Sequence, residues 1–349
     1  MKMRKSAILT MTMAALLLAV VGCGSNNGAA GTSNTGSDSA GAAGKDSYKI
    51  AISQYVEHPS LDATREGFMA ALKDAGLVEK DNLTVDYNNA QADSANNMSI
   101  AQKIAGEKYD LVLAIATPPA IAVAGQVKDS PILFAAVTDP VDAKLVDNLE
   151  KPGGNISGAS DTNPEAINKL MNFIADQFTD VKNVGVVLNE GEPNAVIMSG
   201  IAEKALKDRG INMVKATVTN TSEVKQAAES LVGRVDAIYI TLDNTVVEAV
   251  NTIIQTANEH DIPFFSADRD TVEKGAFATV GFKYYDHGYQ VGQMAVDVLK
   301  NGTKVGDMKI TVPDKLDFIL NLKAAAEQGI EVTDAMKEQV IDKENNLIE

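Results

Sequence analysis

Apolar runs of strand length alternate with longer amphipathic segments through most of the chain. Four runs are apolar almost without interruption: Leu111–Ala116, Ile132–Val137, Val184–Leu188 and Ala237–Leu242. Such strands are typical of parallel sheets that helices cover on both faces. The segments between them have the length and periodicity of helices. The pattern therefore predicts the α/β class, with doubly wound parallel sheets.

The chain also contains an internal repeat. Residues 50–76 align with residues 184–210 over equal lengths and without a gap, so that "ALKDAG" falls on "ALKDRG". Farther along, Thr117 and Asp243 lie at the same offset from the aspartate that begins a predicted strand in each half. About 300 residues follow the amino-terminal segment, which is more than one ordinary domain holds. We therefore predict two similar doubly wound parallel-sheet lobes, which meet near residue 160.

The amino-terminal segment has a different composition. Residues 1–22 have a cationic start and a short apolar run, and Gly22 directly precedes Cys23, which is the pattern of a lipoprotein signal peptide. Residues 23–47 have almost no apolar bulk, which predicts a flexible tether. We expect cleavage before Cys23 and lipidation of its thiol. The protein would then be anchored at the extracellular face of the cell membrane.

Charge and cysteine content narrow the possible functions. The formal net charge is −16, and removal of the three cationic signal residues brings it to −19. Such a charge disfavours nucleic acid as a partner, although it is also typical of a merely soluble surface. Cys23 is the only cysteine, which excludes an intramolecular disulfide, a cysteine nucleophile and a thiolate metal site in the fold.

Little in the sequence favours an enzyme. A secreted hydrolase or transferase is the alternative, but the chain has no G-x-S-x-G, no phosphate-binding loop and no H-E-x-x-H. The three histidines, His58, His260 and His287, are too scattered to predict a zinc site. We expect no catalytic residue, no metal and no cofactor.

Polar side chains follow the predicted strands in both halves. Ligands bind open parallel sheets beyond the carboxyl ends of the strands. Prolines at helix starts leave N–H groups free for a carboxylate. Thr117 and Thr138 could add hydroxyl donors, while Asp243 and Asp268 could hold an ammonium group. Each of these residues alone is more typical of a helix N-cap. Together they predict a cleft for a zwitterion such as an α-amino acid, with Thr117 and Asp243 facing the same gap.

Three further residues are candidates for this cleft. Glu57 and Glu192 are alternative partners for an ammonium group. His58 either faces the cleft or only caps the helix that begins at Pro59.

Six segments together resemble the solute-binding lipoproteins of ABC transporters, in the group with tryptophan- and tyrosine-binding members. They are "QYVEHPSLDATREGF", "AIATPPAIAVA", "PILFAAVTDPVDAKLV", "KPGGNISGASD", "GEPNAV" and "YITLDNTVVEAV". The similarity covers nearly all of residues 48–322. It implies a type I periplasmic-binding fold with a three-segment hinge, a partner permease with a cytoplasmic ATPase, and an aromatic amino acid (Trp, Tyr or Phe) as ligand.

The resemblance also implies a set of ligand contacts. Carried over position by position, they are Gln54, His58, Thr117, Thr138, Asp139, Asn189, Glu192, Asn194, Asp243, Asn244 and Asp268. One position departs from the family's pattern, because Ala195 stands where a serine is expected after Glu-Pro-Asn. That change removes one donor and leaves the ligand's identity open.

The domain boundaries follow from the expected hinge crossings near residues 159–162, 281–284 and 311–316. The boundaries are 48–160 with 283–315 for the first lobe, 161–282 with 316–330 for the second, and 331–349 for a helix and tail. We expect the tail to wrap back on the first lobe and the protein to be a monomer. A lipoprotein that senses a ligand for a membrane receptor, or a carrier for a sugar or nucleoside, remains the alternative.

Overall fold

A computed structural model describes residues 47–349. The predicted signal peptide, Cys23 and all of the tether except its last residue lie outside the described residues. All four apolar runs singled out in the sequence form buried strands.

The first lobe is a five-stranded, wholly parallel sheet in the order β2-β1-β3-β4-β5. Its strands are β1 (Tyr48–Gln54), β2 (Leu83–Asn89), β3 (Leu111–Ile115), β4 (Ile132–Val137) and β5 (Ile156–Ser160). Its helices are α1 (Pro59–Asp74), α2 (Ser94–Ala105) and α3 (Thr117–Gln126). Every residue of β3 and β4 is buried, as expected of strands covered on both faces.

The second lobe is a seven-stranded sheet in the order β12-β11-β10-β9-β8-β6-β7. Its strands are β6 (Asn183–Leu188), β7 (Asn212–Thr217), β8 (Ala237–Ile240), β9 (Phe264–Ser266), β10 (Ala278–Gly281), β11 (Asp317–Asn321) and β12 (Leu347–Ile348). The remaining helices are α4 (Pro164–Gln177), α5 (Pro193–Asp208), α6 (Val224–Leu231), α7 (Asn244–Glu248), α8 (Val250–Glu259), α9 (Arg269–Lys274), α10 (Tyr284–Asn301), α11 (Leu322–Glu327), α12 (Asp334–Glu338) and α13 (Lys343–Asn346). The predicted α/β class is confirmed, and β10 with β11 is the single antiparallel pair among the described strands.

The chain passes between the two lobes three times. It leaves β5 for α4, returns from β10 into α10, and crosses again between Thr311 and β11. Thr311 still belongs to the first lobe, because its carbonyl accepts a hydrogen bond of 2.8 Å from the amide of Ser160 in β5. Three segments therefore connect the lobes, and small-molecule sites are common at such an interface between two lobes.

The returning helix α10 packs tightly on α1. A Cβ added at Gly67 of α1 would lie 2.0 Å from the carbonyl oxygen of Tyr285. A Cβ at Gly288 of α10 would lie 1.9 Å from the carbonyl oxygen of Thr64. Only glycine allows the backbones to approach this closely. The two helices therefore form one rigid layer on the first lobe.

The internal repeat is present in three dimensions. Helices α1 and α5 each begin at a proline, span 16 residues and end at an aspartate. Each is followed by a glycine with positive φ, Gly76 at 78° and Gly210 at 76°. A left-handed residue at this point ends a helix cleanly, and glycine adopts it without strain.

The carboxyl-terminal tail packs on the second lobe. Strand β12 extends the second sheet by pairing with β11. The Asp317 carboxylate accepts hydrogen bonds from the amides of Ile341 and Asp342, at 2.9 and 2.8 Å. The expectation that the tail wraps back on the first lobe is therefore wrong, because its backbone donors find their partners on the second sheet.

Candidate functional site

A cavity lies between the lobes, beyond the carboxyl ends of their strands. Its wall consists of His58, Ser60, Leu61, Ala136, Thr138, Asp161, Asn194, Leu242, Asn244, Val247, Asp268 and Tyr284.

The wall includes five of the eleven ligand contacts that the resemblance implies and leaves six outside it. Those in the wall are His58, Thr138, Asn194, Asn244 and Asp268. Those outside it are Gln54, Thr117, Asp139, Asn189, Glu192 and Asp243. Nearly all the residues outside the wall are engaged in hydrogen bonds that hold the surrounding loops.

The two lobes touch directly across this cavity. The Nε2 atom of His58 lies 3.3 Å from Oδ1 of Asn244, and Oγ of Ser60 donates to Oδ1 of Asp268 at 3.1 Å. His58 and Ser60 belong to the start of α1, whereas Asn244 and Asp268 follow strands of the second sheet. The structure is therefore a closed form in which both walls are within hydrogen-bond distance.

Glu192 organises the second lobe's wall from behind. Its carboxylate accepts five hydrogen bonds, including those from Nδ2 of Asn194 (3.0 Å), Nδ2 of Asn244 (2.6 Å) and the amide of Thr245 (2.9 Å). The side-chain Nδ2 of Asn194 also donates to the carbonyl of Leu242 at 2.7 Å. Because both amide nitrogens are committed to acceptors, the amide oxygens must point the other way. Glu192 is thus a positioning residue for the cavity.

Two acceptor atoms in the cavity wall have no hydrogen-bond partner. They are Oδ1 of Asn194 and Nδ1 of His58, which are buried and unpaired within the described part of the chain. Burial lowers the pKa of His58, so the ring is neutral and its one N–H, on Nε2, faces the oxygen of Asn244. Nδ1 is then an acceptor. A buried acceptor without a partner is costly, and a bound donor would remove that cost.

Two carboxylates complete this surface. Asp161, on the first crossing between the lobes, accepts from the hydroxyl of Tyr284 at 3.1 Å, and burial raises the pKa of its carboxyl group to about 6. Asp268 caps α9 through the amide of Thr271 at 2.7 Å and accepts from Oγ of Ser266 at 2.8 Å. The cavity therefore presents two carboxylates and two unpaired acceptors, which together suit a ligand that carries several N–H donors and a positive charge.

Thr117 and Asp243 hold loops and do not line the cavity. Oγ1 of Thr117 accepts from the amide of Thr138 at 3.3 Å. Asp243 caps α7 and accepts from the amide of Asn189 at 2.5 Å. Burial and the neighbouring charge of Glu192 raise the pKa of Asp243 well above its usual value. The expectation that Thr117 and Asp243 face one gap is therefore wrong, since backbone amides nearby take up both side chains.

Four other candidates lie away from the cavity wall. Nε2 of Gln54 donates to Oδ1 of Asp62 at 2.9 Å within the first lobe. Oδ1 of Asp139 accepts from backbone amides in its own turn. Glu57 is exposed and accepts from the hydroxyl of Tyr87 at 3.1 Å. Asn189 stays within the second lobe, where its Nδ2 bonds Oγ1 of Thr245.

Sequence reasoning missed Asp161, Tyr284 and Ser60. Asp161 directly follows β5, so the rule that collected the other strand-end residues also applies to it. The sequence analysis predicts residues 159–162 only as a hinge crossing. Tyr284 was missed for the same reason. Ser60 follows Pro59 inside the first turn of α1, where no periodicity distinguishes a wall residue from a helix residue.

His287 supports the same wall from the first lobe. Its Nε2 accepts from the amide of Ala136 at 3.1 Å, and Ala136 has a φ of 55°. Burial lowers the pKa of His287 to about 4, so the ring stays neutral and can accept this bond at neutral pH. His287 therefore holds in place a strained residue of β4, at the irregularity near the end of that strand. No group of three potential metal ligands occurs among residues 47–349.

A family model for ABC transporter substrate binding proteins matches residues 49–342. This chain belongs to that family. The substrate-binding protein is 38% identical to the "Tyrosine-binding protein" of Clostridioides difficile (strain R20291) over 320 residues, which is 91% of each chain. Both the family and this relative are described as binding proteins. Among residues 47–349, no helix has the length and apolar character to span a bilayer.

Two solved structures show which conformation the chain resembles. One, from Streptococcus pneumoniae in complex with L-Trp, is 29% identical, with a TM-score of 0.79, and the match covers 84% of this chain and 99% of that one. The other is the ligand-free, open structure of a substrate-binding protein with adhesive properties from Clostridium difficile. It is 38% identical but has a TM-score of 0.62, over 86% of this chain and 98% of that one. The higher identity goes with the poorer superposition, as expected if the lobes of this chain are closed.

Proposed function

We propose that this protein captures an aromatic α-amino acid between its lobes and delivers it to an ABC importer. The observation that carries the proposal is the pair of unpaired acceptors, on His58 and Asn194, beside the Asp161 and Asp268 carboxylates. The amino acid's ammonium group supplies both the donors and the positive charge that this surface lacks. Thr138 adds a hydroxyl to the wall that can donate to the ligand's carboxylate.

Closure follows from the contacts across the cavity. The His58–Asn244 and Ser60–Asp268 contacts exist only when the lobes meet. A ligand that touches both walls binds the closed form better than the open one, and it shifts the population by that difference in affinity. The closed form is the one that would dock on the permease.

The comparisons and the amino-terminal pattern support the cellular setting. A relative is named for tyrosine binding, and a solved neighbour holds L-Trp, which favours an aromatic side chain. The family name implies an ABC permease and its ATPase as partners. The signal pattern before Cys23 favours a lipid tether to the outer face of the membrane, where the protein would act as a monomer.

Thermal unfolding of the purified protein with each of the twenty amino acids tests the proposal. We expect tyrosine, phenylalanine or tryptophan to raise the melting temperature, because a ligand at a hundred times its Kd adds about 2.7 kcal/mol. Asp161→Asn should greatly reduce that shift, because it binds the ligand only weakly. Glu57→Gln, which removes an exposed carboxylate outside the cavity, should keep it. The assignment would be overturned if a sugar or nucleoside raised the melting temperature, or if none of the twenty amino acids did.

A further inference from the structure

A second cavity adjoins the one between the lobes. The two share Asp161 and Leu242 as wall residues. The second cavity extends into the second lobe, between helices α4 and α5 and the sheet. Much of its wall is apolar and includes Ile167, Leu170 and Met198. A group bound at Asp161 can therefore reach an apolar space without leaving the protein.

Two polar atoms of this wall, the hydroxyl oxygens of Tyr239 and Thr279, have no hydrogen-bond partner among the described residues. Tyr239 of β8 lines the cavity and is fully buried, yet its hydroxyl makes no hydrogen bond within the described residues. The hydroxyls of two other buried tyrosines are paired, that of Tyr55 with the carbonyl of Ala92 and that of Tyr284 with Asp161. Burial raises the pKa of Tyr239, so its hydroxyl keeps its proton and can both donate and accept. An unpaired buried hydroxyl is costly unless a ligand satisfies it.

We propose that the second cavity receives the ligand's ring and that the Tyr239 hydroxyl pairs with a phenolic hydroxyl. Tyr239 is then the residue that selects tyrosine over phenylalanine. This inference rests on the proposed function, because it places the ligand's ammonium at Asp161. From there the side chain points into the adjoining apolar space, whose walls match an aromatic ring and whose unpaired Tyr239 hydroxyl matches a polar substituent.

The expected preference for tyrosine over phenylalanine follows from the unpaired hydroxyl of Tyr239. Phenylalanine would fill the apolar space but leave the Tyr239 hydroxyl without a partner, whereas tyrosine would pair it. Sites that hydrogen-bond a substrate hydroxyl reject the analogue that lacks it. A single neutral hydrogen bond accounts for about tenfold in affinity.

Calorimetric titration of the purified protein with tyrosine, phenylalanine and tryptophan tests this. The wild type should bind tyrosine about tenfold more tightly than phenylalanine. Tyr239→Phe should bring that ratio to within about twofold of one by weakening tyrosine binding. Tyr289→Phe removes a hydroxyl that bonds Asp74 on the surface of the first lobe, and it should keep the wild-type ratio.

A second measurement separates ligand recognition from a structural role. Without ligand, Tyr239→Phe should unfold at the same temperature as the wild type or higher, because it removes an unpaired buried group. Equal binding of tyrosine and phenylalanine, a ratio that survives Tyr239→Phe, or a preference for tryptophan would overturn the inference while leaving the proposed function intact. If none of the three binds the wild type, the proposed function fails as well.

Discussion

The same backbone position carries different chemistry in the two lobes. His58 and Glu192 each directly precede the proline that begins a 16-residue helix, α1 or α5. The His58 ring lines the cavity with an unpaired nitrogen, whereas the Glu192 carboxylate is saturated by five donors and lies behind the wall. The internal repeat therefore accounts for the shared geometry. It does not tell which copy touches the ligand and which positions the residues that do.

The second residue of each of these helices also has a different role in each lobe. Ser60 and Asn194 occupy equivalent places and both line the cavity. Ser60 uses its hydroxyl for a contact between the lobes, while Asn194 keeps its oxygen unpaired. One copy thus favours closure and the other favours ligand binding.

Glu192→Gln should have the largest effect, because it breaks the network that distinguishes the second lobe. Glutamine brings two donors into a place where five donors already converge. We expect the free energy of unfolding to fall by about 3 kcal/mol, measured by urea denaturation. Glu190→Gln, an exposed change in the same loop, should leave it unchanged. Equal stability of the two variants would show that the network does not hold the lobe.

The hinge carboxylate between the lobes predicts a pH dependence of ligand affinity. With the pKa of Asp161 raised to about 6, the unliganded protein holds a proton there below pH 6, and an ammonium ligand must displace it. Affinity should be constant above pH 6 and fall about tenfold for each pH unit below it. Calorimetry between pH 5 and 8 measures this.

Two variants identify the group responsible for the pH dependence. Asp161→Asn should bind weakly and without a change between pH 5 and 8. Asp270 is the matched control, because burial also raises its pKa to about 6 but it does not line the cavity. Asp270→Asn should therefore keep the wild-type dependence of affinity on pH. If that variant loses the dependence, Asp270 and not Asp161 is the group responsible.

Ser60→Ala tests the contact that only the first lobe provides. Loss of the hydrogen bond to Asp268 should favour the open form and weaken ligand binding about threefold, as calorimetry would show. Ser222→Ala, an exposed change on the second lobe, should have no effect. Unchanged or tighter binding by Ser60→Ala would instead mean that the hydroxyl competes with the ligand for Asp268.

Ala195→Ser should have the smallest effect. Ala195 stands where the family's pattern has serine, and its equivalent in the first lobe is Leu61. Leu61 lines the cavity, but Ala195 is fully buried in the second lobe's core. We therefore expect Ala195→Ser to change the Kd of the ligand by less than about twofold. A larger change would mean that this position reaches the ligand after all.

The sequence predicts the fold better than the site for a physical reason. Continuous apolar runs such as Leu111–Ala116 report burial on both faces, and burial depends on the side chains themselves. The antiparallel partner β11 and the tail's place on the second sheet depend on pairing across long chain separations, as in the bonds between Asp317 and residues 341–342. No local pattern encodes such pairing.

The candidate site shows the same limit at the level of single atoms. Strand ends locate the cavity, so His58, Thr138 and Asp268 were found. Whether an Asp at a strand end faces a ligand or a backbone amide depends on the neighbouring loop. That is why Asp243 caps a helix while Asp161 lines the cavity.

The glycine-mediated contact between α1 and α10 determines how the lobes can move. Helix α1 begins beside His58 and carries Ser60, α10 begins with Tyr284, and no side chain separates the two helices at Gly67 and Gly288. These three ligand-facing residues therefore travel as a single block when the protein opens. Opening must then move the second lobe, with Asn194 and Asp268, away from the wall residues that stay fixed on the first lobe. The ligand would leave from the face that the moving lobe uncovers.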